Sequence, residues 1–234
     1  MSEPTESDMV REGMLIVADG GEGAGKTTAM NALEAALRAE GHTVVRTREP
    51  GGTALAEEIR GLALSIRDEV LDPQAELLLM FASRAQHVAN VIRPALARGA
   101  VVLCDRFTSS TFAYQGAGRG LSRERIALLA EHFQGGVTPA LTVVFDIDPA
   151  IGMARARGRG ALDRLESERM DFFERVRADY LRQASEDPAR HLVVDASRSP
   201  ERVAAAVIEP VLERCAPLLA RRVERAVATS EGPA

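Results

Sequence analysis

The sequence predicts an α/β fold in which a doubly wound, parallel, five-stranded sheet is flanked by helices. Two observations lead to this prediction. Short apolar runs alternate with longer stretches of helical periodicity, and each apolar run is continuous or nearly so. Continuous apolar runs are typical of strands that are buried on both faces of a parallel sheet. In such a fold the ligand site lies at the carboxyl ends of the strands.

The order of the elements follows from these runs. The strands are predicted over residues 14–19, 43–46, 101–105, 141–145 and 192–195. Helical periodicity predicts helices over residues 27–39, 54–65, 73–97, 122–133 and 167–184. A last helical pattern covers residues 201–228, where Pro210 and Pro217 are expected to interrupt it.

A length of 234 residues without an internal repeat or a long linker favours a single domain, which we place at residues 13–214. Residues 1–12 are polar and acidic and are expected to form a disordered tail. Residues 215–234 are expected to form a helical extension that ends in a second disordered tail.

Composition excludes several classes of function. The net charge of −5 argues against a surface for nucleic-acid polymers or anionic membranes. Cys104 and Cys215 give neither a disulfide framework nor metal-ligand spacing. The chain has no signal-peptide pattern and no apolar run of membrane-spanning length, so we expect a cytoplasmic protein.

The stretch GGEGAGKT, residues 20–27, matches the phosphate-binding loop GxxxxGK[ST]. It follows a predicted strand and opens a predicted helix, which is the context that phosphate binding requires. Inward-turned backbone N–H groups and the helix N-terminus attract phosphate oxygens. The motif and the predicted sheet together indicate a P-loop NTPase-like fold.

The lysine of this loop, Lys26, is the only lysine in the chain. Its compact charge suits the β- and γ-phosphates of a nucleoside triphosphate. Thr27 can place a hydroxyl on Mg²⁺, and Asp105, at the end of a predicted strand, can reach the ion or its waters. We therefore expect the protein to bind a nucleoside triphosphate with Mg²⁺.

Two further stretches follow strands. TREPGGT, residues 47–53, places Glu49 and Pro50 beside the phosphate loop, although a plain connection would also explain it. DRFTSSTFAYQG begins at Asp105, and its Arg106 is suited to clamp a phosphate. A buried structural Asp–Arg pair is the alternative. Tyr114 and the residues around it offer hydrogen bonds and a stacking face to a nucleobase.

Arginines mark two other stretches. Arg84 lies among apolar residues on a predicted helix, where its guanidinium needs an acceptor. Residues 154–166, ARARGRGALDRLE, carry four arginines separated by glycines and other residues, which suggests a flap that closes over phosphates. A solvated basic loop is the alternative.

Together these stretches resemble the thymidylate kinase family, whose members phosphorylate dTMP with ATP. The resemblance runs from about residue 14 to residue 211, and DGGEGAGKTT, TREPGGT, DRFTSSTFAYQG and RGALDRLE stand in the family's order. The resemblance implies a single nucleoside monophosphate kinase domain, Mg²⁺ as the cofactor and a homodimer. It leaves no role for a nucleic-acid polymer or a membrane.

On the donor side, the resemblance assigns ATP phosphates and Mg²⁺ to Lys26, Thr27 and the loop around them. That loop comprises Gly20, Gly21, Glu22, Gly23, Ala24, Gly25 and Thr28. Glu22 occupies the family's acidic position in the loop. Since glycine follows this acid, the resemblance takes the catalytic arginine from the flap, as Arg159, with Arg155 and Arg157 nearby.

On the acceptor side, the resemblance implies that a set of residues surrounds dTMP. Arg60 and Arg106 would grip its phosphate, and Glu49, with Pro50, would approach its deoxyribose. Arg84, Thr111 and Gln115 would read the thymine edge, and Tyr114 would disfavour a 2′-hydroxyl. The family's stacking aromatic is Met80 here, followed by Phe81, so either side chain could face the base. Ser109 stands where an aspartate is common.

Two rival functions differ in chemistry. A related nucleoside monophosphate or deoxynucleoside kinase would use another acceptor. An ATP-dependent switch would bind the triphosphate without an acceptor. A GTP switch is excluded, because Asn31 and Asn90 are followed by alanine and valine and cannot supply the N-K-x-D guanine motif.

Overall fold

The computed structural model describes the backbone of residues 13–158 and 163–230, with side chains as far as residue 218. Three predictions lie outside the described residues: the tail at residues 1–12, the flap arginine Arg159 and the end of the second tail at residues 231–234.

The five strands found in the described residues join one parallel sheet, as the sequence predicts. They are β1 (Met14–Gly20), β2 (Val44–Arg48), β3 (Val101–Asp105), β4 (Leu141–Asp146) and β5 (His191–Asp195). Their spatial order is β2-β3-β1-β4-β5. Each predicted strand overlaps the observed one, and the ends differ by at most two residues.

Helices cover both faces of the sheet. They are α1 (Lys26–Ala39), α2 (Ala54–Leu64), α3 (Pro73–His87), α4 (Arg93–Ala97), α5 (Thr108–Thr111), α6 (Arg123–Phe133), α7 (Pro149–Arg157), α8 (Met170–Glu186) and α9 (Pro200–Ser230). A π-helical segment, Val88–Ile92, joins α3 to α4, so the helix predicted over residues 73–97 contains one wide turn. A second such segment, Phe112–Gly118, continues α5.

The strand order explains where a ligand would bind. From β1 the chain builds β2 and β3 on one side and then β4 and β5 on the other, so the winding reverses beside β1. The connections that follow β1, β2 and β3 therefore meet at one crevice. These connections carry three of the motifs that the sequence singles out.

Side-chain caps close the N-termini of α2 and α3 but not that of α1. The Thr53 side chain caps α2, and the Asp72 side chain caps α3, each by accepting a backbone N–H. Helix α1 begins after Gly25, which adopts a left-handed conformation (φ 76°) and has no side chain to cap it. The first N–H groups of α1 are thus left for an anion.

The last helix differs from the prediction. Helix α9 continues through Pro210 and Pro217, and the domain boundary predicted after residue 214 falls inside it. Five side chains four or three residues apart bury one face of α9 in the core that also holds α1: Val203, Val207, Val211, Cys215 and Leu218. Burial of this apolar face outweighs the hydrogen bonds that the prolines remove. Cys104 and Cys215 are both free, buried thiols.

No helix within residues 13–158 and 163–230 is long and apolar enough to cross a membrane.

Candidate active site

The lysine of the phosphate loop is buried at the start of α1. Its Nζ donates to the carbonyl oxygens of Gly20, at 3.2 Å, and Gly21, at 3.1 Å. Burial lowers the pKa of Lys26, and the positive charge of Arg106 lowers it further. Main-chain carbonyls are neutral partners, so an anionic phosphate would compensate this charge better.

Helix α7 packs directly against the phosphate loop. A Cβ atom added at Gly23 would lie 2.0 Å from the carbonyl oxygen of Gly152, and one added at Gly152 would lie 2.3 Å from that of Glu22. The loop and the helix can approach this closely only because both positions are glycine. Arg155, on the same helix, is thereby placed at the cleft beside the loop, and its Nη1 donates to the Ala196 carbonyl at 3.1 Å.

This donor cleft combines the loop with residues from neighbouring connections. It is lined by Glu22, Gly23, Ala24, Gly25, Lys26, Thr27, Thr28, Arg48, Glu49, Arg60, Asp105, Arg106 and Arg155. Gly20 and Gly21 do not line this cleft, and their carbonyl oxygens accept from Lys26 Nζ. Arg157 is exposed at the end of α7 and is not among the lining residues.

Two oxygen donors in this cleft fit a magnesium ion. Asp105 Oδ1 is buried and has no hydrogen-bond partner in the part of the chain that the structure describes. The Thr27 side chain is exposed in the same cleft. The described residues contain no group of three or more acidic, histidine or cysteine ligands for a metal. A small donor set suits Mg²⁺ that arrives on a nucleotide and keeps several waters.

Arg106 follows β3 and has a left-handed backbone (φ 68°), which is rare for a residue other than glycine. Its Nη1 donates to the Gly20 carbonyl at 3.0 Å, and its Nη2 donates to Glu22. Burial alone would lower the pKa of Arg106, but the Glu22 carboxylate beside it raises that pKa well above its usual value. The strained backbone is thus held in place by contacts with the phosphate loop.

A second, acceptor cleft adjoins the first. It is lined by Glu22, Glu49, Pro50, Arg60, Leu64, Met80, Arg84, Arg106, Phe107, Ser110, Thr111, Tyr114, Gln115, Asp163, Leu165 and Glu166. Four of these residues also line the donor cleft: Glu22, Glu49, Arg60 and Arg106. Two arginines therefore lie at the junction of the two clefts.

Arg60 reaches that junction from α2. Its Nη1 donates to the Pro50 carbonyl at 3.0 Å. Burial lowers the pKa of Arg60, and the charge of Arg48 lowers it further. A cation whose charged form is disfavoured in this way gains from an anionic ligand.

Arg84 lies on α3 with its side chain buried in the acceptor cleft. Its Nε donates to Glu49 Oε2 at 2.7 Å, and its Nη2 donates to Thr111 Oγ1 at 2.9 Å. Its Nη1 is buried and has no partner among the described residues. An unpaired buried N–H is costly, so this atom indicates a ligand that brings an acceptor.

The Glu49 carboxylate also contacts His87, in addition to Arg84. His87 Nδ1 lies 3.0 Å from Glu49 Oε1, and His87 Nε2 lies 2.6 Å from Thr47 Oγ1. Both oxygens of Glu49 are thus already engaged by buried side chains. The carboxylate holds Arg84 as well as lining the cleft.

The two adjacent candidates for stacking on a base separate clearly. Met80 lines the acceptor cleft, whereas Phe81 does not line it and packs with Leu77 and Ile126. The structure thus favours Met80 as the side chain that faces the cleft, and which of the two stacks on a base stays a prediction. Helical geometry turns neighbouring side chains about 100° apart, so only one of them can face the cleft.

Tyr114 lines the acceptor cleft beside its junction with the donor cleft. Its hydroxyl donates to Glu22 Oε1 at 2.9 Å, and its ring lies 4.8 Å from the Arg106 guanidinium carbon. Burial raises the pKa of Tyr114 well above its usual value. The neutral phenol therefore braces Glu22 and Arg106 rather than adding a charge.

Comparison with known proteins gives a consistent result. The model of the family described as thymidylate kinase matches residues 18–207. A thymidylate kinase of Pseudomonas fluorescens (strain Pf0-1) is 59% identical over 186 residues, which cover 80% of this chain and 89% of the relative. One of Pseudomonas putida (strain W619) is 56% identical over 205 residues, which cover 86% and 99%. This chain belongs to the thymidylate kinase family.

A solved structure supports the same family. The crystal structure of thymidylate kinase from Ehrlichia chaffeensis has a TM-score of 0.70 and 31% sequence identity, and the match covers 85% of this chain and 98% of that one. The family that the motifs resemble and the P-loop NTPase-like fold are both confirmed.

The structure also adds residues to this family site that the sequence analysis missed. Ser110 donates to Asp19 Oδ1 and shares a 2.6 Å hydrogen bond with the hydroxyl of Tyr180. That hydroxyl accepts from Arg106 Nη1 at 3.2 Å. Both tyrosines of the chain thus lie at the site, and their scarcity was a signal that the sequence offered.

Asp19 is the buried end of this network. Its Oδ2 has no hydrogen-bond partner among the described residues. Burial raises the pKa of Asp19 to about 6, against the opposing effect of the Ser110 hydrogen bond. Its position in an apolar strand gave no indication of this contact.

The described end of the segment predicted as a flap lies at the acceptor cleft. Asp163 and Leu165 line the cleft, and Arg164 ties the segment to α2 by donating from its backbone N–H to the Leu64 carbonyl at 3.1 Å. The Arg164 Nη2 also donates to Glu76 at 2.5 Å. The sequence predicted that this segment closes over phosphates. Its described end also contacts Leu64, the last residue of α2.

Proposed function

We propose that this member of the thymidylate kinase family transfers the γ-phosphoryl group of ATP to the phosphate of dTMP, which gives dTDP and ADP in the supply of dTTP. The observation that carries this proposal is the meeting of a phosphate-loop cleft and a base-sized cleft at Arg60 and Arg106. Transfer between two phosphates needs cationic groups at such a junction.

The donor cleft binds the triphosphate of ATP. The uncapped N–H groups of α1 and its loop surround the phosphates, and Lys26 moves from the Gly20 and Gly21 carbonyls to the β- and γ-phosphates. The hydroxyl of Thr27 and the free oxygen of Asp105 would hold Mg²⁺ or its waters. Bound there, Mg²⁺ would neutralise charge on the phosphate oxygens.

The acceptor cleft binds dTMP. Arg60 and Arg106 grip its phosphate with two half-buried cationic side chains. The unpaired Nη1 of Arg84 donates to a carbonyl oxygen on the thymine edge, and Met80 packs against the ring. Thr111 and Gln115 line the cleft beside Arg84, and Tyr114 excludes bulk from the sugar.

Catalysis then depends on position and charge. The acceptor is an anionic phosphate, so no strong general base is required. Glu22 holds Arg106 at the junction, which makes it a positioning group for the transfer. The flap would bring Arg159, with Arg155 and Arg157 nearby, to the transferring phosphoryl group and exclude water.

A different acceptor is the main alternative, because the phosphate-binding groups would serve any nucleoside monophosphate. A homodimer and a cytoplasmic location are part of the proposal. Leu55 and Leu62 are about half exposed on one face of α2, which supports an apolar contact with a second copy. Use of the metabolites ATP and dTMP supports the location.

The direct test identifies the products. The protein is incubated with ATP, Mg²⁺ and dTMP, and chromatography with standards follows dTDP and ADP; Lys26→Ala serves as the inactive control. Equal amounts of dTDP and ADP that require both substrates are expected. ADP formation that proceeds equally without dTMP would contradict the proposal and favour an ATP-dependent switch.

A further inference from the structure

A buried carboxylate outside the list of substrate-binding residues contacts the base-reading side of the acceptor cleft. Glu76 lies in the first turn of α3 and is completely buried. Its Oε1 accepts from Gln115 Nε2 at 2.8 Å, and its Oε2 lies 2.5 Å from Arg164 Nη2 and 3.2 Å from Arg119 Nη2. The carboxylate thus joins the flap end to the residue that faces the base.

The chemistry of these partners fixes an orientation. In its charged form, paired with Arg119 and Arg164, the Glu76 carboxylate offers only acceptors. The Gln115 amide must therefore present its NH₂ group to Glu76. Its other polar atom, the Oε1 acceptor, is left on the opposite edge of the amide. Gln115 is itself buried and lines the acceptor cleft.

An acceptor at this position distinguishes pyrimidines. Thymine and uracil carry a hydrogen-bond donor at N3 and an acceptor at O4, whereas cytosine carries an acceptor at N3 and a donor amino group at C4. The Arg84 Nη1 donor and the Gln115 Oε1 acceptor together complement the first pattern and oppose both groups of cytosine.

We propose that Glu76 is a positioning residue that sets base specificity by holding the Gln115 amide with its acceptor toward the pyrimidine. The inference rests on the proposed function, and it adds a specificity determinant that does not touch the substrate. Since Glu76 also contacts Arg164, the same carboxylate sets this orientation while the flap end is docked.

The test compares base selectivity in three variants. Selectivity is the ratio of kcat/KM for dTMP to that for dCMP. Glu76→Gln allows the Gln115 amide to turn over, because the new amide can donate or accept. We expect the ratio to fall by about tenfold or more, through a higher KM for dTMP with little change in kcat.

The exchange Glu76→Gln with Gln115→Glu provides the rescue. The new Gln amide donates to the new carboxylate, whose second oxygen is again an acceptor for N3–H, and the net charge is unchanged. We expect the ratio to return to within about threefold of the wild-type value. Glu168→Gln is the matched control, since Glu168 pairs with the same Arg119 at 2.6 Å without contacting Gln115 in the hydrogen bonds described; its ratio should not change.

Each contrary result has one meaning. An active wild type whose ratio is unchanged in Glu76→Gln, or not restored by the exchange, overturns the role of Glu76. If Glu76→Gln does not fold, Gln115→Met takes its place, because it removes the acceptor on which the inference depends. An unchanged ratio in Gln115→Met would show that this acceptor does not set base selectivity, and it would overturn the inference. A wild type that phosphorylates no pyrimidine nucleotide overturns the proposed function itself.

Discussion

Arg84 donates from Nε to Oε2 of Glu49 at 2.7 Å, and both side chains are about 3% exposed. With Nε of the guanidinium held on Glu49, Nη2 reaches Thr111, and Nη1 has no partner among the described residues. A planar group fixed by two hydrogen bonds cannot turn its third nitrogen elsewhere. The free atom is therefore a fixed donor, and the proposed function assigns it to the base.

Replacing Arg84 by lysine should weaken base recognition. Lysine keeps the charge beside Glu49 but cannot make the three directed contacts of a guanidinium. We expect kcat/KM for dTMP to fall by about 10- to 100-fold, mostly through KM, as steady-state assays would show. Arg198→Lys, which changes an exposed pair with Asp195, is the control. An unchanged KM would remove Arg84 from the base site.

The contact between α7 and the phosphate loop should be sensitive to one methyl group. Gly152→Ala would place Cβ 2.3 Å from the Glu22 carbonyl, so α7 and the loop must separate. We expect a rise in KM for ATP of about tenfold, with the KM for dTMP nearly unchanged. Gly158→Ala is the matched control, because its Cβ would meet no atom closer than 3.5 Å. Equal behaviour of the two variants would show that this contact does not shape the ATP site.

Asp19 should make the folded protein less stable as pH rises. Its pKa is raised from 3.8 to about 6, so the folded state holds the proton more tightly than the unfolded state. The stability that it contributes is complete below the unfolded value and is lost as pH rises through about 6. Asp19→Asn keeps an acceptor for Ser110 and removes the titration.

Urea unfolding at pH 4 and pH 7 measures this effect. Relative to its difference from wild type at pH 4, Asp19→Asn should gain up to about 3 kcal/mol at pH 7, since one pKa unit corresponds to about 1.4 kcal/mol. Asp195→Asn should show the opposite trend, because a hydrogen bond from Ser197 lowers the pKa of the exposed Asp195. A pH-independent difference for Asp19→Asn would contradict the shift.

The flap arginine can be tested although Arg159 lies outside the described residues. Arg159→Ala should lower kcat by about 10³-fold or more, because its charge would act on the transferring phosphoryl group, and should change the KM for dTMP much less. Arg125→Ala, on the exposed side of α6, is the control. A rise in the KM for dTMP with kcat intact would instead assign Arg159 to the acceptor site.

Local patterns sufficed for much of the fold. Apolar runs located all five described strands. Burial on both faces explains this for β1, β3 and β4, whereas β2 and β5 lie at the edges of the sheet and are partly exposed. The phosphate loop could be placed because its glycines, Lys26 and Thr27 lie in one short stretch whose spacing is visible in the sequence. The course of α9 through its two prolines was not predictable locally, because it depends on packing against α1.

The site was predictable where a residue acts directly and not where it acts through another. Arg84 and Gln115 belong to a motif, but Glu76 and His87 reveal their roles only through contacts 39 and 38 positions away. Asp19 and Tyr180 are separated by 161 positions and meet only in the folded chain. Which of Met80 and Phe81 lines the cleft depends on the rotation of α3, which periodicity alone did not define.

The acceptor preference tests the central claim most directly. ADP release from ATP–Mg²⁺ is measured with dTMP, dUMP, dCMP, dGMP, AMP, UMP and thymidine, and kcat/KM is compared. We predict the highest value for dTMP and none above background for thymidine, which lacks the phosphate for Arg60 and Arg106. A higher value for another monophosphate, or release that ignores every acceptor, would contradict the account.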